Sequence, residues 1–180
     1  MNQPSQTIYL DNNATTQVAP EVLAEMLPYF CERYGNPSSM HTFGGRIAGR
    51  IRRAREQVAA LLGCEESEIV FTGCGTESDN MAIQGTLAAR PNKRKIITSR
   101  VEHPAVLAVC RDLRNRGYQV VELGVDREGH LDLSELHNRL DEDTALVTIM
   151  MANNETGVLF PYEQIAEMVT SRGIVFHTDA

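Results

Sequence analysis

The 180-residue sequence predicts an α/β fold, with a largely parallel sheet carrying helices on both faces. Three observations predict it. From Ile69 onward, short apolar runs near residues 69–72, 96–100, 119–123, 145–151 and 174–178 alternate with helical patterns near 76–89, 104–116, 132–140 and 161–172; that order builds parallel strands joined by crossover helices. Ala145-Leu146-Val147-Thr148-Ile149-Met150-Met151 is almost wholly apolar, as a strand buried on both sides must be. Hydrophobic content of 42% and charged content of 23% are those of a globular chain, and the length suffices for a substantial core.

Taken in order, Ile8-Tyr9-Leu10 is expected to be a short strand, ended by the turn-prone Asp11-Asn12-Asn13. Pro20 suits the first position of a helix running through Val22, Leu23, Met26 and Leu27. Gly35-Asn36-Pro37-Ser38-Ser39 and Gly44-Gly45 bracket an irregular segment that contains His41. A long helix follows, with Ile47, Ile51, Ala54, Val58, Leu61 and Leu62 on one side, arginines on the other and Gly63 as its C-terminal cap. The stretch Ile69–Asn80 then passes from a strand through Gly73 and Gly75 into a helix whose apolar side is Met81, Ile83 and Leu87. Such a turn leaves the first helical N–H groups pointing outward, where an anion can bind. One helix end is worth only about 0.3–1 kcal/mol, so a site there needs other groups.

A formal net charge of −7 without a basic stripe argues against a nucleic-acid partner; the run from Arg46 to Arg55 has the spacing of a solvated helix face. No run approaches the roughly 18–20 apolar residues of a membrane span, and Met1–Gln6 has no apolar signal core. A cytoplasmic location is therefore expected. Cys31, Cys64, Cys74 and Cys110 are scattered, with no C-x-x-C pair, and read as free thiols. Lys93 and Lys95 are the only lysines, and both lie in one polar loop.

In open α/β sheets ligands bind beyond the carboxyl ends of the strands. Four such ends carry distinctive chemistry: Gly73-Cys74-Gly75-Thr76, Glu102-His103-Pro104, Asn153-Asn154-Glu155, and His177 with Asp179. These are the parts that a phosphorylated heteroaromatic cofactor needs. Backbone N–H groups and the Thr76 hydroxyl suit a phosphate, an imidazole suits a ring face, an amide a ring hydroxyl, and a carboxylate a protonated ring nitrogen. Pyridoxal phosphate requires that carboxylate, because the protonated pyridine is its electron sink. Each part also has a plainer reading. The glycine loop can be a tight turn only, His103 a helix cap, Asn153-Asn154 an ordinary loop, Asp179 an N-cap and Cys74 a small packing residue. A His-x-Asp metal pair at His177 and Asp179 finds no third ligand, and no metal is expected.

At these residues the sequence resembles the cysteine desulfurases of the nitrogen-fixation type, pyridoxal-phosphate enzymes of the aminotransferase class V group. The matching segments are Tyr9–Thr16, Gly35–Ser39 with His41, Phe71-Thr72 through Thr76–Asn80, Val101–Val106, Ala152–Gly157 and Phe176–Ala180, in family order across essentially the whole chain. Where many relatives have Ser-Gly-Ala, this chain has Gly73-Cys74-Gly75. The resemblance implies that Gly75 and Thr76 bind the cofactor phosphate. It implies that His103 stacks on the ring and shuttles protons as a catalytic residue, that Asn154 meets the ring hydroxyl, and that Asp179 pairs with the ring nitrogen. The Asn13–Thr16 turn would lie near the substrate.

The implied activity is conversion of L-cysteine to L-alanine, with sulfur passing to an enzyme persulfide and then to an iron–sulfur scaffold protein. A homodimer with pyridoxal 5'-phosphate as cofactor is implied as well. Residues 1–16 would belong to a small domain and 17–180 to part of the large cofactor-binding domain of a fold-type I enzyme. Family enzymes are longer, and their cofactor-anchoring lysine, persulfide cysteine and substrate-binding arginine would lie beyond Ala180. The chain is thus expected to be an amino-terminal part, inactive alone, whose truncated fold would expose apolar surface and an unpaired sheet edge. A selenocysteine lyase or another class V relative, and a short non-catalytic protein associating with a second half, are the alternatives.

Overall fold

The computed structural model describes residues 8–180, so the polar start Met1–Gln6 and the first seven positions of the expected 1–16 segment lie outside the described residues. The chain divides into two compact units, Met1–Phe71 and Thr72–Ala180.

The first unit holds α1 (Pro20–Met26), α2 (Pro28–Cys31), α3 (Thr42–Leu62) and a 3-10 turn at Glu66–Glu68. Proline opens both α1 and α2, where its missing N–H costs nothing. His41 caps α3, its Nδ1 accepting from the Gly44 N–H at 3.2 Å. Gly63 ends that helix with φ 69°, a left-handed conformation that glycine adopts without steric cost.

Three expectations fail here. Ile8–Leu10 and Ile69–Thr72 are not strands: a strand needs a hydrogen-bonded neighbour, and among the described residues neither segment is in a sheet ladder. Ile69–Phe71 is instead held from α3, where Arg55 Nε donates to the Ile69 carbonyl at 3.1 Å and its guanidinium lies 5.2 Å from the Phe71 ring centre. The apolar stripe expected on α3 is not a buried face, since Ile47 is buried but Leu61 and Leu62 are exposed. Most of the exposed large apolar side chains belong to this unit.

The second unit runs α4 (Gly75–Ala89), β1 (Lys95–Ser99), α5 (Pro104–Asn115), β2 (Gln119–Leu123), α6 (Leu133–Arg139), β3 (Thr144–Thr148), α7 (Tyr162–Thr170) and β4 (Val175–His177). The strands form one parallel sheet in the order β2-β1-β3-β4. β1 and β3 occupy the centre and are buried along their whole length. Alternate residues face opposite sides. Ile96 and Leu146 pack with Ile83 and Leu87 of α4 and with Val106, Val109 and Leu113 of α5. Ile97 and Val147 pack with Leu136 of α6 and with Ile165 and Val169 of α7. The sheet is therefore covered on both faces, as expected.

One detail of α4 differs. Its inward stripe is Asp79, Ile83 and Leu87, at i, i+4 and i+8, while Met81 points outward. A carboxylate shares the inward face with two apolar residues, and a search for apolar spacing passes over it.

Candidate functional site

A parallel sheet brings all its carboxyl ends to one edge, and at that edge lies a cavity of about 450 Å³. Gly75, Thr76, His103, Asn154 and Asp179 all line it. The five residues singled out in the sequence thus meet in one place, drawn from the start of α4, the start of α5, the segment after β3 and the segment after β4.

Gly75 and Thr76 are the first two residues of α4. The N-cap, Cys74, is extended and its side chain caps nothing, so the helix end keeps the outward N–H groups that an anion takes. A Cβ added to Gly75 would meet no atom within 4 Å, so packing within the protein does not demand glycine there. Upstream, Gly73 N–H donates to Glu77 Oε2 at 2.6 Å and the Thr72 and Ser78 hydroxyls lie 2.6 Å apart, which fixes the loop without filling the cavity. Cys74 is exposed and does not line the cavity.

His103 is both a cap and a wall of the cavity. Its Nδ1 accepts from the Ala105 N–H at 3.1 Å, so a neutral ring carries its proton on Nε2. Asn153 and Asn154 separate in role. Asn153 is buried and committed to structure: its Oδ1 accepts from the Glu155 and Thr156 N–H groups and the Thr156 hydroxyl, and its Nδ2 donates to the Val101 carbonyl. Asn154 is the one that lines the cavity, and its Nδ2 donates to Glu155 Oε1 at 3.1 Å. Beyond the strands, the pairing of β3 with β4 continues through Ile149 N–H to the His177 carbonyl and Met151 N–H to the Asp179 carbonyl, at 3.1 and 2.9 Å. The backbone of Asp179 is thereby fixed beside Met151.

Two carboxyl groups to which the sequence assigned no role stand around these residues. Asp79, 4% exposed, also lines the cavity, with its Oδ1 3.7 Å from His177 Nε2. Burial, then the charge of Asp179, holds its carboxyl above the ordinary range, against the opposing pull of His177 and His103. Its one-turn spacing from Thr76 was a usable signal. Glu102 is buried just before His103; it accepts from the Ser99 hydroxyl at 2.5 Å and from the Met150 N–H. Burial pushes it up to about 7, against the pull of those two hydrogen bonds and helped by Asp179 and Asp79. No spacing rule marks Glu102, because its burial comes from chain segments far away in sequence. His177 donates to or accepts from the Thr148 hydroxyl through Nδ1 at 2.8 Å; burial lowers its pKa, while Asp79 and Asp179 oppose the shift.

Neither lysine reaches this edge. Lys95 begins β1 and is 5% exposed, its Nζ held by Asp141 Oδ2 at 2.7 Å and by the Arg139 carbonyl. Lys93 Nζ donates to the Thr144 carbonyl. Four residue steps separate Lys95 from the carboxyl end of its strand, about 13 Å of β-structure.

A parallel sheet with a helix N-terminus, an imidazole, an amide and carboxylates at its carboxyl edge has the architecture of an α/β domain that binds a phosphorylated cofactor. The model of the aminotransferase class V family matches residues 8–180, and the chain belongs to that family, whose cysteine desulfurases are pyridoxal-phosphate enzymes. It is 62% identical over 173 residues to the cysteine desulfurase of Trichormus azollae, covering 96% of this chain and 43% of that protein. It is 52% identical over 174 residues to the cysteine desulfurase NifS of Azotobacter vinelandii, again 96% against 43%. Among solved structures, a NifS-like protein superimposes with a TM-score of 0.90 at 42% identity, over 94% of this chain and 47% of that one. SspA in complex with cysteine does so at 0.93 and 38% identity, over 97% and 50%. The chain thus spans less than half the length of these curated relatives. No helix among the described residues is long and apolar enough to cross a membrane.

Proposed function

We propose that this chain supplies the phosphate and ring-nitrogen ends of the pyridoxal-phosphate site of a cysteine desulfurase. The observation that carries the reading is the convergence of Gly75, Thr76, His103, Asn154 and Asp179 on one cavity at the carboxyl edge of the sheet. The donor set fits the cofactor. The open start of α4 and the space beside Gly75 take the phosphate, with the Thr76 hydroxyl as a further donor. His103 would lie against the ring, with Nε2–H as the proton it gives and takes back, since Nδ1 accepts from the Ala105 N–H. The Asn154 amide meets the ring hydroxyl, and the Asp179 carboxylate keeps the ring nitrogen protonated. When bound, pyridoxal phosphate supplies the electron sink for carbanion chemistry at the substrate.

In this reading the substrate is L-cysteine, the products are L-alanine and a persulfide sulfur passed to an iron–sulfur scaffold protein, and the enzyme works as a cytoplasmic homodimer. Residues 1–16 are assigned to a small domain and 17–180 to the large one. Protein isolated from its own cells is expected to form alanine from L-cysteine in the presence of a thiol; its failure to do so with cofactor bound would refute the activity.

Two expected results concern these 180 residues directly. Because Lys93 and Lys95 are tied down at the amino edge of the sheet, pyridoxal phosphate is held without a covalent bond. Borohydride treatment should leave the mass of the polypeptide unchanged, and dialysis should remove the cofactor. A mass gain equal to one reduced cofactor on either lysine contradicts this. Gly75→Ala should leave the unfolding free energy within about 0.5 kcal/mol of wild type, because no atom opposes the new methyl group. Thr76→Val, which removes the hydroxyl offered to the phosphate, should weaken cofactor binding about tenfold. Equal affinity measured by fluorescence titration would remove Thr76 from the phosphate site.

A further inference from the structure

We infer that Asp79, His177 and Thr148 form a positioning relay that ties the phosphate end of the cavity to its ring-nitrogen end; this rests on the cofactor reading above. The relay crosses three elements. Thr148 closes β3, His177 closes β4 and Asp79 lies in the second turn of α4. His177 Nδ1 is 2.8 Å from Thr148 Oγ1, and Nε2 is 3.7 Å from Asp79 Oδ1. Thr148 is fully buried, and Asp79 is 4% exposed. An imidazole placed between a hydroxyl and a carboxylate has one favourable arrangement: the hydroxyl donates to Nδ1, and Nε2–H points at the carboxylate.

The location gives the relay its purpose. Asp79 follows Thr76 by one helical turn, and His177 precedes Asp179 by two strand positions on the same face. The residue that fixes α4 is therefore one turn from the phosphate-binding end, and the residue that fixes β4 is the nearest same-face neighbour of Asp179. The charged groups acting at this point are Asp79 from α4, Asp179 from the end of β4, and Glu102 and His103 from the segment before α5. Three carboxyl groups share two imidazoles. By directing Nε2–H toward Asp79, His177 answers the carboxyl that faces it at 3.7 Å, and Asp179 is left to the ring nitrogen. The expectation matches the general need of a binding constellation for side chains locked from behind by hydrogen bonds.

The test uses the 180-residue chain, Asp79→Asn and His177→Gln. Nitrogen-15 spectra of the histidine side chains should show His177 as the Nε2–H tautomer in wild type. Titration with pyridoxal phosphate should show about a tenfold loss of affinity in both variants, with a circular-dichroism spectrum that keeps its helix content. Rescue is expected from Asp79→Glu, which restores part of the affinity. The relay is overturned if the wild-type ring is the Nδ1–H tautomer, or if wild type binds the cofactor and Asp79→Asn binds it equally well. Absence of cofactor binding by wild type overturns the functional reading, and the relay's purpose with it.

Discussion

Asp179→Asn is expected to lower the affinity for pyridoxal phosphate on the order of a hundredfold while leaving the folded chain no less stable. The two effects separate because Asp179 is bound into the sheet through its backbone carbonyl, which accepts from the Met151 N–H, and asparagine keeps that bond. Its side chain, in contrast, adds a third negative charge beside Asp79 and Glu102, and raises the pKa of both. Removing the charge relieves that repulsion. The loss falls on the ligand, since deleting one partner of a buried, hydrogen-bonded charge pair costs roughly 2–5 kcal/mol. A cofactor analogue with carbon in place of the ring nitrogen should bind wild type and variant alike. If the variant binds pyridoxal phosphate as tightly as wild type, Asp179 is not the ring-nitrogen partner.

The second large effect is a pH dependence carried by Glu102. Its carboxyl is raised from the ordinary 4.5 to about 7, so between these values the folded chain holds a proton that the unfolded chain has released. Stability from this group is fully present below pH 4.5 and is lost as pH rises to about 7, after which both states are ionised and the curve is flat. A displacement of this size corresponds to about 3 kcal/mol. Glu102→Gln should remove that slope, because glutamine is uncharged at every pH. Its carbonyl can accept from the Met150 N–H, and its amide can donate to Ser99. Urea unfolding of the two chains at pH 4.5 and pH 8 measures the difference, which isolates Glu102 from Asp79, raised in the same direction, and from His177, lowered in the opposite one. Parallel slopes for wild type and variant would show that Glu102 is ionised at neutral pH.

Glu102 also illustrates what sequence reading reaches. Strands near 96–100, 119–123 and 145–151 and the helices between them were legible because their signals are local: an apolar run, a proline at a helix start, a glycine at an end. Ile69–Thr72 carries the same apolar signal and is not a strand, since strand formation depends on a neighbour that local sequence does not name. The shortening of the 145–151 run to Thr144–Thr148 shows the same dependence at its edges. The missed second helix, α2, was marked by Pro28 but is only four residues long.

By itself the sequence determined the α/β class and the parallel order of its elements, because alternating strand and helix signals are local, and the family resemblance it carries marked five residues that meet at the cavity. The tertiary structure alone decided that Asn153 is committed to holding its own turn and the Val101 carbonyl, that His103 both caps α5 and lines the site, and that Asp79 rather than Met81 turns inward on α4. It also decided which partners hold the two lysines at the amino edge. The physical reason is common to all four. Burial and charge at one point are sums over α4, β1, β3 and β4, and each contribution comes from residues distant in the chain.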